Sequence, residues 1–291
     1  LSEKSFVVEI GSNDGHLLKN LTHRCEVLGI DPSSSVAQVA FANGVPTLIQ
    51  HFGPDTDTGR QADLIIANNV MAHVPDLNLF IEGLARALHW AGTITVEFPH
   101  VLNLLEGGQF DTIYHEHYSY LSLMALEPAL ERHGLYAYDV EKLSTHGGSL
   151  RLYIDKGQHA VTDNVAAIRC REALLRSACL YDTFAISAKG CASEFKAFLA
   201  DHTVVGYGAA AKGNTFLNYC GLTKSDIAYV ADTTSAKIGK YLPGSRIPVV
   251  AEEALIAQRP PYVLILPWNW EEEIVRRLGP TIKKWGGRFV V

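Results

Sequence analysis

Residues 113–122 read IYHEHYSYLS and bring Tyr114, His115, Glu116, His117, Tyr118 and Tyr120 into one short stretch. Three kinds of role suit such a set. Histidines two apart on an extended chain share a face and, with a further carboxylate, can hold a metal ion. Their spacing is not the four residues that a HExxH zinc helix requires. A histidine beside a carboxylate and a phenol can instead take a proton near neutral pH while a neighbour steadies the charge that develops. Or the polar groups only fix a loop. The stretch by itself leaves all three open. His100 in EFPHVLN and His146 in STHGGSL lie near expected strand ends, where a lone histidine is more often a hydrogen-bonded structural group.

Two glycine turns could hold ligands. The first, VVEIGSNDGHLL, follows an apolar run, and Gly11 and Gly15 are expected to open a helix whose first N–H groups face a bound molecule. The spacing is not GxGxxG, which weakens a dinucleotide reading. Asp31, in LGIDPS, comes 31 − 11 = 20 residues after Gly11, where an acid accepts hydrogen bonds from a ribose diol. In DLIIANNVMAHVPD a buried strand ends at Asn68 and Asn69, the place where such sheets bind ligands. The second turn, VVGYGAAAKGNTFLNYCG, offers Gly206, Gly208, Lys212 and Asn214 as a cradle for phosphate. Each turn also has a purely structural reading, a tight strand–helix connection with no ligand.

Short Val- and Ile-rich runs alternating with helical patterns predict parallel α/β sheets. Strands are expected at 6–10, 27–30, 47–50, 63–67, 93–98, 135–140 and 149–155, the last two joined by the tight turn STHGG and therefore antiparallel. Helical spacing covers 77–88 and 123–133. A helical stretch follows, and then a second set of strands at 204–207, 227–231, 248–250, 262–266 and 288–291. The expected organisation is a first α/β domain over 1–158, a helical bridge over 159–202 and a smaller Rossmann-like domain over 203–291.

The 291 residues carry 47% hydrophobic side chains and a formal charge of −6 with no basic run. These values suit packed cores and argue against nucleic acid as the main partner. No apolar run approaches the ~20 residues of a membrane span, so no membrane partner is expected. Cys25, Cys170, Cys179, Cys191 and Cys220 form no CxxC pair and read as the reduced thiols of a cytoplasmic protein. The oligomeric state has no signature here.

Together EIGSNDG, GIDPS and IIANNVMAHVPD resemble the S-adenosylmethionine (SAM) motifs of class I methyltransferases, and a seven-stranded sheet with a reversed last strand resembles their fold. The resemblance implies that Gly11, Asn13 and Gly15 line the amino-acid end of SAM, Asp31 binds its ribose and Asn68 lies near its methionine portion. Over the whole chain, FDTIYHEHYSYLS, STHGGSLRLYI, GYGAAAKGNTFLNYCG and GKYLPGSRIPV occur in an order similar to the sugar C-methyltransferases that act on nucleotide-linked keto-deoxysugars. That family's active-site Tyr-x-Glu-His matches Tyr114, Glu116 and His117, and the turn with Gly206, Gly208, Lys212 and Asn214 is expected to hold the nucleotide diphosphate of the substrate. The implied activity is SAM-dependent C-methylation through an enolate, with His117 as base and Glu116 and Tyr114 beside it. The family also carries an N-terminal zinc-binding lobe with clustered cysteines, which these residues lack; either such a lobe precedes Leu1 or this member dispenses with it, and no metal is expected within the segment itself. The alternatives are a SAM-dependent O- or N-methyltransferase on another small molecule and a catalytically inactive SAM- or nucleotide-binding module.

Overall fold

FVVEI has no polar face to offer water apart from Glu9, so it belongs inside a sheet covered on both sides. In the computed structural model, which describes residues 1–291, this run is strand β1 (Phe6–Ile10), buried along its length. The strands that follow are β2 (Glu26–Ile30), β3 (Thr47–Leu48), β4 (Ala62–Asn68), β5 (Leu88–Pro99), β6 (Tyr136–Leu143) and β7 (Ser149–Asp155). They form one sheet in the order β3-β2-β1-β4-β5-β7-β6. The first five run parallel, whereas β7 is antiparallel to both β5 and β6. This is the class I methyltransferase arrangement expected above.

The helices of this part are α1 (Ser34–Ala42), α2 (Leu77–Ala87), α3 (Val101–Glu106), α4 (Leu123–Glu131) and α5 (Asp163–Glu172). Asp76 caps α2 by accepting from Leu79 N–H at 3.0 Å, and Phe80, Ile81, Leu84 and Ala87 turn one face of it into the core. Ser122 does the same for α4 through Ala125 N–H, at 3.1 Å.

A second sheet contains β8 (Val204–Tyr207), β9 (Ile227–Asp232), β10 (Val249–Ala251), β11 (Tyr262–Ile265) and β12 (Arg288–Val290), in the order β10-β9-β8-β11-β12 and parallel throughout. Its helices are α6 (Ala178–Asp201), α7 (Ala211–Tyr219), α8 (Glu252–Gln258) and α9 (Glu271–Lys283). None of the helices is long and apolar enough to cross a membrane.

Two expectations change. The turn at residues 11–15 does not open a helix; only a single 3₁₀ turn, Leu18–Asn20, follows it. Asn20 Nδ2 donates to the carbonyls of His16 and Leu17 at 2.9 and 3.2 Å, and Thr22 Oγ1 to that of Lys19 at 3.1 Å. Side chains that take these carbonyls compete with the helical ladder. The stretch 159–202, expected as a separate bridge, is divided between two compact units, Leu1–Asn103 with Glu116–Ser177 and Leu104–His115 with Ala178–Val291. Helix α5 goes with the first because Val165, Ile168 and Glu172 are buried there, and α6 goes with the second, burying Ala188 and Phe195.

Candidate functional site

The carboxyl ends of β2, β1 and β4 lie side by side and bring together residues that are far apart in sequence. After β1 the backbone turns through positive φ at Gly11 (69°), Asn13 (51°) and Gly15 (73°). A Cβ on Gly11 would come within 2.6 Å of Val70 Cγ2, so this turn lies directly against the segment that carries Asn68 and Asn69. Asp31, just past β2, uses one carboxylate oxygen to accept from Asn13 N–H at 3.1 Å and the other to accept from Ser33 N–H at 2.9 Å. It thereby holds the turn and the start of α1. Each oxygen retains a further lone pair, which is what a vicinal diol needs.

Four side-chain atoms at this edge are buried without a hydrogen-bond partner: Glu9 Oε2, Ser12 Oγ, Asn68 Oδ1 and Asn69 Oδ1. Buried polar groups are mostly satisfied in folded proteins, so a cluster of such orphans at a ligand edge suits a ligand. All four can accept, which is the chemistry a cationic donor requires, while Asp31 suits a vicinal diol. Burial, reinforced by the charge of Asp14, pushes the Glu9 carboxyl up to about 7. Sequence reasoning omitted Glu9 and Ser12, and it placed Asn69 at the ligand edge without giving it a role. The available signal was a lone carboxylate within an otherwise apolar strand.

The histidine segment belongs to the same edge. Residues 71–73 form a 3₁₀ turn just after Asn69. Ala72 O accepts from Tyr118 N–H at 2.9 Å and Ser119 N–H at 3.3 Å, and His73 Nδ1 donates to Glu116 O at 2.9 Å. A carbonyl only accepts, so His73 carries a proton on Nδ1. The His73 and His117 rings stand 4.8 Å apart, and Tyr120 meets His117 edge-on at 5.9 Å. The segment is a loop rather than a strand, and no three His, Cys, Asp or Glu side chains gather into a metal-holding group. The boundary between the compact units falls between His115 and Glu116, which leaves Tyr114 with the second unit and Glu116 and His117 with the first.

His100 has a structural role. It is fully buried, and its Nε2 lies 2.8 Å from Glu172 Oε1. Glu172 also accepts from Leu123 and Met124 N–H at 2.8 and 2.7 Å, closing the start of α4.

In the second sheet Asp232 repeats the device of Asp31. It accepts from Ala209 N–H at 2.7 Å within the glycine turn and from Thr234 N–H at 2.7 Å beyond its own strand. Here Thr234 Oγ1 and the ammonium of Lys237, 3.7 Å away, also occupy the carboxylate. That leaves little capacity for a diol. Gly208 (φ 86°) packs so closely that a Cβ would strike Pro267 Cδ at 2.5 Å, and Gly206 faces Val230 in the same way. Lys212 donates to Asn269 Oδ1 at 3.0 Å and lies 4.3 Å from the centre of the Trp268 ring. Burial holds its ammonium below the usual lysine range, opposed by the charge of Asp111. Asp111 is itself raised by burial and relieved by Trp268 Nε1–H at 2.7 Å. Asn214 Oδ1 is a further buried acceptor without a partner.

Comparison with known proteins shows the family. Residues 144–291 match the family model "C-methyltransferase C-terminal domain", and residues 1–140 match "Methyltransferase domain". The C-methyltransferase NovU of Streptomyces niveus is 36% identical over 306 aligned residues, which cover all of this chain and 73% of that protein. Solved methyltransferases overlay about half of the chain. One is the methyltransferase bound to the Trm112 activator of Haloferax volcanii (16% identity, 55% of this chain, 85% of that one, TM-score 0.46). Another is magnesium protoporphyrin IX methyltransferase of Synechocystis with bound SAH (16%, 52%, 73%, TM-score 0.44).

Proposed function

Since the chain belongs to the C-methyltransferase family and is a SAM-dependent methyltransferase, we propose that its acceptor is a nucleotide-linked keto-deoxysugar, methylated through an enolate. The observation that carries this reading is the latching of residues 116–119 onto Ala72 and His73, three to four residues beyond the asparagines of the cofactor edge. C-alkylation, unlike O- or N-alkylation, needs a base strong enough and close enough to take a carbon-bound proton. Two imidazoles stand there.

SAM, when bound, supplies an electrophilic methyl group; Glu9, Asn68 and Asn69 would hold its ammonium, the turn at 11–15 its amino-acid end, and Asp31 its ribose. His117 is the proposed base, taking the proton from the carbon beside the ketone. His73 steadies the loop through Glu116 O, and its ring neighbours that of His117. Glu116 and the Tyr114 phenol are the proposed partners of base and oxyanion, an electron-rich oxygen being best met by an oriented donor. In the second lobe, the N–H groups that open α7, with Gly206, Gly208, Lys212 and Asn214, are the proposed cradle of the nucleotide diphosphate.

The test is the identity of the product. Incubation with SAM and nucleotide-linked 4-keto-6-deoxysugars should give a new carbon–methyl bond, seen as a methyl resonance without an attached heteroatom. An O-methyl product would overturn the enolate reading, and failure of every keto sugar would overturn the acceptor class.

A further inference from the structure

Asn69 and His146 are 77 residues apart, yet both adopt the left-handed backbone region that non-glycine residues rarely enter, with φ of 55° and 54°. Their side chains meet, Asn69 Nδ2 lying 3.1 Å from His146 Nε2. Strained residues that persist are held by their surroundings and concentrate at functional sites.

The sheet explains the meeting. Because β7 runs antiparallel to β5, with Ser149 opposite Pro99, the turn between β6 and β7 lies at the carboxyl ends of the parallel strands. That is the ligand edge of such a sheet. The turn is firmly built. Thr145 Oγ1 donates to one oxygen of Glu97 and Arg151 to the other, both at 2.8 Å. Gly147 and Gly148 continue the positive φ, and Gly148 O accepts from His100 N–H at 3.0 Å. Asn69 is anchored from its own side, its N–H donating to Glu97 O at 2.8 Å. Glu97 therefore fixes both partners, one through its backbone and the other through its side chain.

We propose that His146 is a positioning residue for cofactor binding that acts through Asn69. With Nε2 accepting from the Asn69 amide nitrogen, the amide is oriented so that Oδ1 is the atom that is buried and unpartnered. Val70, the next residue, packs against Gly11 of the cofactor turn, so Asn69, one residue past the end of β4 at Asn68, stands at the cofactor edge with its oxygen unpartnered. Its partner is a cationic N–H donor, the ammonium of the amino-acid end of SAM. Without the imidazole, the amide can turn its nitrogen toward that end and present donors to a cation. This assignment rests on the first lobe binding SAM.

The experiment is a double-mutant cycle on the whole chain, with S-adenosylhomocysteine, which carries the same ammonium, titrated by calorimetry. Asn69→Gly removes the amide and tolerates φ 55°. His146→Ala should weaken binding roughly three- to tenfold, the worth of one hydrogen bond. His146→Gln, whose amide oxygen can replace Nε2 as acceptor, should restore affinity to within about twofold. In the Asn69→Gly background, His146→Ala should cost nothing further, since coupled residues are not additive. Thermal melts select the variants that remain folded. Wild-type affinity in His146→Ala, an equal loss in both backgrounds, or no rescue by glutamine would each overturn the proposal. Failure of the wild type itself to bind would instead remove the cofactor reading beneath it.

Discussion

Glu9 makes the cofactor edge measurable without any knowledge of the acceptor. Its carboxyl is moved from an ordinary value of 4.5 to about 7, first by burial and then by Asp14. The displacement is worth about 3 kcal/mol between its two protonation states. In the free protein the group is therefore about nine-tenths protonated at pH 6 and about half protonated at pH 7. A cationic ammonium beside Oε2 favours the ionised form and drives the proton off. Binding of S-adenosylhomocysteine should release about 0.9 proton at pH 6, about half at pH 7 and almost none at pH 8.5. Calorimetry in buffers of different ionisation enthalpy reads this number directly, and Glu9→Gln should abolish it. The free protein offers a second reading of the same group. A folded value above the unfolded one means that the native state holds the extra proton, so this group's contribution to stability falls as pH rises from about 4.5 to about 7. Glu9→Gln should lack that decline, of up to about 3 kcal/mol. Tight binding at pH 6 with no dependence on buffer, or the same proton release in Glu9→Gln, would refute the placement of an ammonium against Glu9.

Asp31→Ala should weaken SAM binding by roughly 1.5–3 kcal/mol, the range for hydrogen bonds to a charged group, and calorimetry checks it. Lys212→Ala should lower the affinity for a nucleotide diphosphate in a direct titration, and it should also cost about 0.5–2 kcal/mol in denaturant unfolding, because its ammonium lies over Trp268. Glu172→Ala should destabilise the protein by roughly 3–5 kcal/mol in the same assay, since it strands buried His100 and two N–H groups at the start of α4.

Both sheets were legible in the sequence because buried parallel strands write themselves as short Val and Ile runs. β1, β7 and β8 fall at their expected bounds. Where side chains competed for backbone carbonyls, legibility failed: Asn20 and Thr22 take carbonyls of the helix that the glycine turn was expected to open. The division of residues 159–202 was hidden for another reason. Helical spacing does not reveal which core a helix joins, and α5 is claimed by the burial of Glu172. Gly11, Asn13, Gly15, Asp31 and Asn68 were singled out in the sequence, and the structure brings them to the ends of adjacent parallel strands. His73 and Asn69 stood in the same quoted stretch, but their roles depend on partners 43 and 77 residues away. Lys212 was expected as a counter-charge in the phosphate cradle, and its contacts with Trp268 and Asn269 were not legible, since they come from residues more than 50 positions away.

The central claim is that this chain draws a proton from carbon with His117. The direct test is exchange at the carbon beside the ketone of a nucleotide-linked keto-deoxysugar, in D₂O and without SAM, followed by NMR. Wild-type protein should introduce deuterium at that carbon, and His117→Ala should slow the exchange by about 10²–10⁴-fold, the usual contribution of a positioned base, with affinity for S-adenosylhomocysteine unchanged. Exchange at the wild-type rate in His117→Ala would contradict the account and pass the base's role to His73 or Glu116.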